Sequence, residues 1–145
     1  MKFGVIIELM QKEFNLLVVD RNPHIRNFLK REFQSEGYNV QLAKNGTELV
    51  SLIYSSLPID LVIIDPDIPD VNKLNLFKSL EDRVPTLPFV IHSDPFDYLE
   101  STSHICKATF VPKRGSSSET LKDVVWKLLK ASYPKKFKTS YDQKK

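Results

Sequence analysis

Cysteine is almost missing from this chain: Cys106 stands alone among 145 residues, so an internal disulfide is excluded and a reducing compartment suits it. Long apolar runs are missing too, and none approaches the ~20 residues that span a bilayer. The first residues, Met1-Lys2-Phe3-Gly4-Val5-Ile6-Ile7, carry one lysine and reach Glu8 within a short apolar run, which makes a poor secretory leader. The cytoplasm is the expected location. His24, His92 and His104 are too scattered to form a zinc site with a single cysteine. His92, inside an apolar run, is expected as a hydrogen-bonded core imidazole. There is no internal repeat. A positive excess is missing outside one place: the formal net charge of +3 comes from the C-terminal segment, where Lys135, Lys136, Lys138, Lys144 and Lys145 face only Asp142. Without that segment the body is close to neutral, so the basic balance describes a solvated tail and not a nucleic-acid-binding face.

What is present is an alternation of two apolar patterns. Short, β-branched-rich runs occur at Leu16–Val19, Leu61–Ile64 and Phe89–Ile91, with weaker ones at Asn39–Ala43 and Ala108–Val111. Runs that are apolar throughout suit strands covered on both faces. Helical periodicity lies between them. Asn22-Pro23 reads as an N-cap followed by proline at the first helical position, Ile25, Phe28, Leu29 and Phe33 form the inward stripe, and Gly37 stops the helix. A second helix is expected from Thr47 to Pro58 with Leu49, Val50, Ile53 and Leu57 inward. A third would use Leu74, Phe77 and Leu80, and a weak fourth lies near residues 95–104. The last helix is the clearest, with Ser116 and Glu119 at capping-box spacing before Leu121, Val124, Val125, Leu128 and Leu129.

Five β-α units imply one α/β domain, a doubly wound parallel sheet with helices on both faces; the flavodoxin-like order 2-1-3-4-5 fits its length. The expected divisions are an N-terminal extension at 1–14, the domain at 15–132 and the basic tail at 133–145. Polar residues end four of the strands: Asp20, Asp65, Ser93 and Lys113. In this fold they fall at the C-terminal sheet edge, with Asp20 and Asp65 flanking the switch point where open α/β sheets place their chemistry. Each has a bland reading as a turn or cap residue, and Lys113 with Arg114 as a surface pair.

Residues 15–130 resemble the receiver domain of bacterial two-component response regulators. The segments LLVVDRNPHIR, IDLVIIDPDIPDVNKL, FVIHSD and ATFVPK are similar, in order and spacing, to that family's first strand, phosphoacceptor loop, hydroxyl segment and lysine segment. The resemblance implies that Asp65 accepts a phosphoryl group, with Ser93 and Lys113 contacting it. It also implies Mg²⁺ held by Asp20, Asp65 and the backbone carbonyl of Asp67. Ser93 and Phe110 would form the switch, Phe110 standing where the family often has tyrosine. Implied partners are a histidine kinase or phosphotransfer protein, a downstream protein docking on the face of the fourth helix, fifth strand and fifth helix, and a second copy of the chain; no DNA-binding domain and no membrane are expected. Trp126 would either join that docking face or pack on the tail.

Three further departures surround the pocket. Arg21 replaces the second acid of the family's usual pair, a swing of two charge units, and would either weaken Mg²⁺ binding, unless it points outward, or substitute for the cation by pairing with Asp65. Asp94 follows Ser93 where a small residue is usual, and Lys73 replaces a loop glycine. Three functions therefore stand side by side: a stand-alone phosphorylated receiver in a phosphorelay, a phosphorylation-independent pseudo-receiver acting as an interaction module, and an aspartyl phosphatase of the haloacid-dehalogenase type suggested by Asp65-Pro66-Asp67. The last places further acids beyond its lysine, which this chain does not offer at a strand end. The expectation is a signalling module, not an enzyme.

Overall fold

A computed structural model describes residues 14–70, 78, 80, 82–83, 86–94, 109–115 and 117–138. Five strands, β1 (Asn15–Val19), β2 (Asn39–Ala43), β3 (Leu61–Ile64), β4 (Phe89–Ser93) and β5 (Thr109–Pro112), pair in parallel in the order β2-β1-β3-β4-β5. Between and after them run α1 (Pro23–Ser35), α2 (Gly46–Ile53), α3 (Ser117–Ser132) and α4 (Pro134–Lys138).

Alternation along the strands divides the apolar residues into two cores. Leu17, Val19, Val62, Ile64 and Ile91 face one side, where Leu49 and Ile53 of α2 cover them together with Leu80. Leu16, Val18, Leu61, Ile63, Val90 and Val111 face the other, under Leu29 and Phe33 of α1 and Leu121, Val125 and Leu129 of α3. Continuous apolar strands are thus explained by cover on both faces.

Local chemistry sets the helix ends. The Asn22 side chain accepts the His24 N–H at 2.9 Å, and Pro23 follows at the first position. Gly37 ends α1 at φ 101, a left-handed turn that only glycine enters without strain, while the Gly37 and Tyr38 N–H groups donate to the Gln34 and Phe33 carbonyls. α2 departs from expectation. It begins at Gly46 behind an Asn45 cap and ends at Ile53, five residues before Pro58. The Ser55 hydroxyl donates to the Leu52 carbonyl and accepts the Leu57 N–H, an alternative to the helical ladder that serines offer. Leu57 is consequently exposed, not inward. Phe28 is likewise exposed, because the inward stripe of α1 narrows to Leu29 and Phe33.

The basic tail also begins differently from a solvated segment. α4 folds back so that Phe137 stacks on Phe14 at 5.6 Å and meets Trp126 edge-on at 4.8 Å. The Tyr133 hydroxyl donates to the Asp60 carbonyl at 2.7 Å. Trp126 therefore packs on the tail. Phe14, placed at the end of the N-terminal extension by its sequence, is buried. Leu74, Phe77, Ser116 and the expected fourth helix lie outside the described residues.

Phe33→Ala should lower unfolding free energy by about 3–5 kcal/mol in urea denaturation, whereas Phe28→Ala should stay within about 0.5 kcal/mol, since only the first opens a core cavity.

Candidate functional site

The parallel ladder extends past the strand ends and fixes the backbone of the polar residues. Asp20 N–H donates to the Ala43 carbonyl at 3.1 Å, Asp65 N–H to Val19 at 2.9 Å and Lys113 N–H to Ser93 at 2.9 Å. The side chains of Asp20, Asp65 and Lys113 are brought together at the C-terminal sheet edge. The Lys113 ammonium lies between the acids, donating to Asp20 Oδ2 at 2.8 Å and, more tightly, to Asp65 Oδ2. Burial alone would push this ammonium's pKa down, but the hydrogen bonds and charges of Asp20 and Asp65 outweigh it and raise the pKa above the ordinary lysine value.

The remaining carboxylate oxygens are also engaged. Asp20 Oδ1 accepts the Asn22 N–H at 2.9 Å, and Asp65 Oδ1 accepts the Asp67 N–H at 2.8 Å. Both turns use an aspartate to hold the backbone two residues on, so each loop leaves its strand in a set direction. The Arg26 guanidinium adds a 2.7 Å bond to the Asp20 carbonyl. Ser93 is fully buried at the end of β4, and its hydroxyl has no hydrogen-bond partner among the described residues. An orphaned buried hydroxyl costs about 1–3 kcal/mol, which an arriving anionic oxygen would recover.

Arg21 points outward. Its Nη1 lies 3.6 Å from Asp67 Oδ1, with the two side chains 63% and 50% exposed. The cation on Asp65 is Lys113, so the sequence alternative in which Arg21 pairs with Asp65 is not the arrangement adopted. Asp94 is exposed beside Ser93, and Lys73 lies outside the described residues. Phe110 is half-buried against the core on the α2 side, the face that also carries Ile91. Ser93, two residues after Ile91, shares that face.

Oxygen donors dominate the pocket. Among the described residues no group of three or more His, Cys, Asp or Glu side chains forms a metal cage. Two buried carboxylates drawn to one ammonium suit a hard cation that keeps several waters, as Mg²⁺ does; the residues present fit it.

One contribution was not visible in the sequence. Asp70 closes the loop after β3 onto the N-terminus of α2, accepting from Gly46 N–H at 2.7 Å, Thr47 N–H at 2.9 Å and Thr47 Oγ1 at 2.8 Å. Burial works against its charge, but those hydrogen bonds hold its pKa below the usual carboxylate value. An acid in a loop beside a threonine at a helix start hints at such a cap, but the partner is 23 residues away in sequence. His92 is buried, as its apolar run implied. Its Nε2 and the Ser117 hydroxyl are 3.2 Å apart, yet Nδ1 is buried with no partner among the described residues. Burial first, then the Lys113 charge, lowers its pKa to about 4 against a smaller opposing effect of Asp65.

Comparison with known proteins bears on this arrangement. A family model described as response regulator receiver domain matches residues 16–124. The response regulator MprA of Mycolicibacterium vanbaalenii is 34% identical over 76 residues, covering 52% of this chain and 32% of that protein. SaeR of Staphylococcus aureus is 32% identical over 76 residues with the same coverage, so the chain spans about a third of the length of these curated relatives. Among solved structures, the response regulator TrrA of Thermotoga maritima in complex with Mg²⁺-BeF is 30% identical with a TM-score of 0.69, over 79% of this chain and 98% of that one. TrrA is also seen in complex with the histidine kinase ThkA, at 31% identity and TM-score 0.68, over 80% and 98%.

A depressed histidine pKa sets a pH dependence. Unfolded His92 titrates near 6.5 and the folded residue near 4, so the unfolded chain takes up the proton first as pH falls. The stability it contributes is full above about pH 6.5 and declines down to about pH 4, by on the order of 3 kcal/mol. His92→Gln should lack that part of the acid slope, so wild type and variant should converge in urea midpoint between pH 7 and pH 4.5.

Proposed function

The chain belongs to the response regulator receiver domain family, and on that premise we propose that it is a receiver phosphorylated on Asp65 within two-component signalling. The observation that carries this reading is the Lys113 ammonium held between Asp20 and Asp65, with the unpartnered Ser93 hydroxyl on the adjoining strand end. The receiver family is a signalling module and not an enzyme in the ordinary sense; here the protein contributes the nucleophile itself.

The donor is a phosphorylated histidine of a kinase or phosphotransfer protein. An Asp65 carboxylate oxygen attacks phosphorus, the O–P bond forms as the P–N bond breaks, and the electron pair leaves on the imidazole. Lys113 must surrender part of its contact with Asp65 and follow the charge onto the phosphoryl oxygens, while Ser93 supplies its idle hydroxyl to one of them. Asp20, Asp65 and the Asp67 carbonyl would hold Mg²⁺, which when bound screens the negative charge gathered there. The α2-side position of Phe110, on the face of Ser93, offers a way for that hydroxyl's movement to reach the surface near β5. Output by protein contact on the β5–α3 side, by a second copy of the chain, and a cytoplasmic setting belong to the same proposal. Among the described residues no helix is long and apolar enough to cross a membrane.

The rival reading is a pseudo-receiver whose site Arg21 closes. It has less support, because Arg21 rests on Asp67 in an exposed pair and leaves Asp65 to Lys113.

Incubation with acetyl phosphate and Mg²⁺ should add one phosphoryl group to the intact mass, and Asp65→Asn should add none. Ser93→Ala should slow the addition roughly ten- to a hundredfold, the worth of one hydrogen bond to a charged group. An unmodified wild type, or an adduct that persists in Asp65→Asn, would overturn the proposal.

A further inference from the structure

We propose that Arg21 is a second phosphoryl-contacting cation, released from Asp67 when Asp65 is phosphorylated. This inference rests on Asp65 being the phosphoacceptor.

The arrangement around Asp65 is two-sided. On the Oδ2 side the ammonium of Lys113 is already shared with Asp20. On the Oδ1 side the contact is the N–H of Asp67, and it is the side chain of this same residue that holds Arg21. Asp67 thus links the two, its N–H meeting the Asp65 carboxylate and its own carboxylate meeting the guanidinium.

Charge decides what happens next. Before phosphorylation, Asp20, Asp65 and Lys113 together carry one negative charge, and Arg21 with Asp67 carries none. Replacing the Asp65 carboxylate by an acyl phosphate puts up to two negative charges on oxygens that project further out. Lys113 is still shared with Asp20, so the added charge is under-compensated from the inner side. Among the described residues Arg21 is held by one 3.6 Å contact, between side chains that are 63% and 50% exposed. Solvent and salt screen such a pair to little net strength. A phosphoryl group outcompetes it, offering a dianion and two oxygens that match the guanidinium fork. The arginine that departs from the acidic pair of the family thereby supplies charge that would otherwise fall wholly to a metal ion.

The chemistry remains a simple displacement. With acetyl phosphate, an Asp65 oxygen forms a bond to phosphorus, the bond to the acetyl oxygen breaks, and acetate leaves with the electron pair; no proton is required. Arg21 takes no part in bond making, and contacts only the equatorial oxygens as they gain charge.

Two measurements test this, both at Mg²⁺ concentrations that saturate each variant so that altered metal affinity does not enter. The first is the rate of acetyl phosphate adduct formation by intact mass. The second is calorimetric affinity for beryllium fluoride, a non-reacting stand-in for the phosphoryl group. Arg21→Ala should lower both about tenfold, the loss of one charge-assisted contact. Arg21→Lys should fall between, keeping the charge without the fork. Asp67→Asn, which frees the arginine and leaves the backbone at 67 in place, should move both the other way. Unchanged or improved values in Arg21→Ala would overturn the inference while leaving Asp65 as phosphoacceptor. A wild type that neither forms the adduct nor binds beryllium fluoride would overturn the underlying reading, and this inference with it.

Discussion

One ammonium between two acids organises this molecule. Asp20 and Asp65 end neighbouring strands and are nearly buried, at 2% and 7% exposure. Two like charges brought within ~5 Å at an effective dielectric near 20 repel by on the order of 3 kcal/mol. Lys113, delivered from β5 across the intervening β4, cancels that repulsion and joins the ends of three strands. The sheet order makes this possible: β1 and β3 are adjacent at the switch point, and β5 lies close enough for a long side chain to reach back.

The surroundings hold the triad without filling it. Aspartate-to-backbone bonds turn the chain away after β1 and β3, and Asp70 clamps the far end of the second loop to α2. The sheet ladder fixes the backbones. The Ser93 hydroxyl, by contrast, lies buried with its hydrogen-bonding capacity unused. A buried polar group left unpaired carries a cost, which the proposed phosphoryl contact would offset at Ser93.

Much of this was legible beforehand, for identifiable reasons. Strands covered on both faces announce themselves as unbroken apolar runs, and a polar residue at the end of each marks one sheet edge; Asp20, Asp65, Ser93 and Lys113 followed from that alone. Asn22, Pro23 and Gly37 act through their own backbone preferences, so the bounds of α1 were readable too. Other features depend on partners distant in sequence. Ser55 defeats the end of α2 by a local hydrogen bond that periodicity does not register. Phe137 is indistinguishable from a tail residue until Phe14 and Trp126 are seen beside it. The direction of Arg21 was undecidable because an outward side chain and a pairing with Asp65 fitted the sequence equally; in the structure Lys113 holds Asp65 and Arg21 turns outward to Asp67.

The aromatic clasp of Phe14, Tyr133 and Phe137 has a practical corollary. It closes on the residues that precede β1 and β3, at the pole of the sheet opposite the carboxylates. Because the strands all run the same way, Lys138 leaves from that far pole. A dye or tether attached at Lys138 is therefore placed at the pole opposite Asp65, leaving clear the edge where phosphotransfer is proposed.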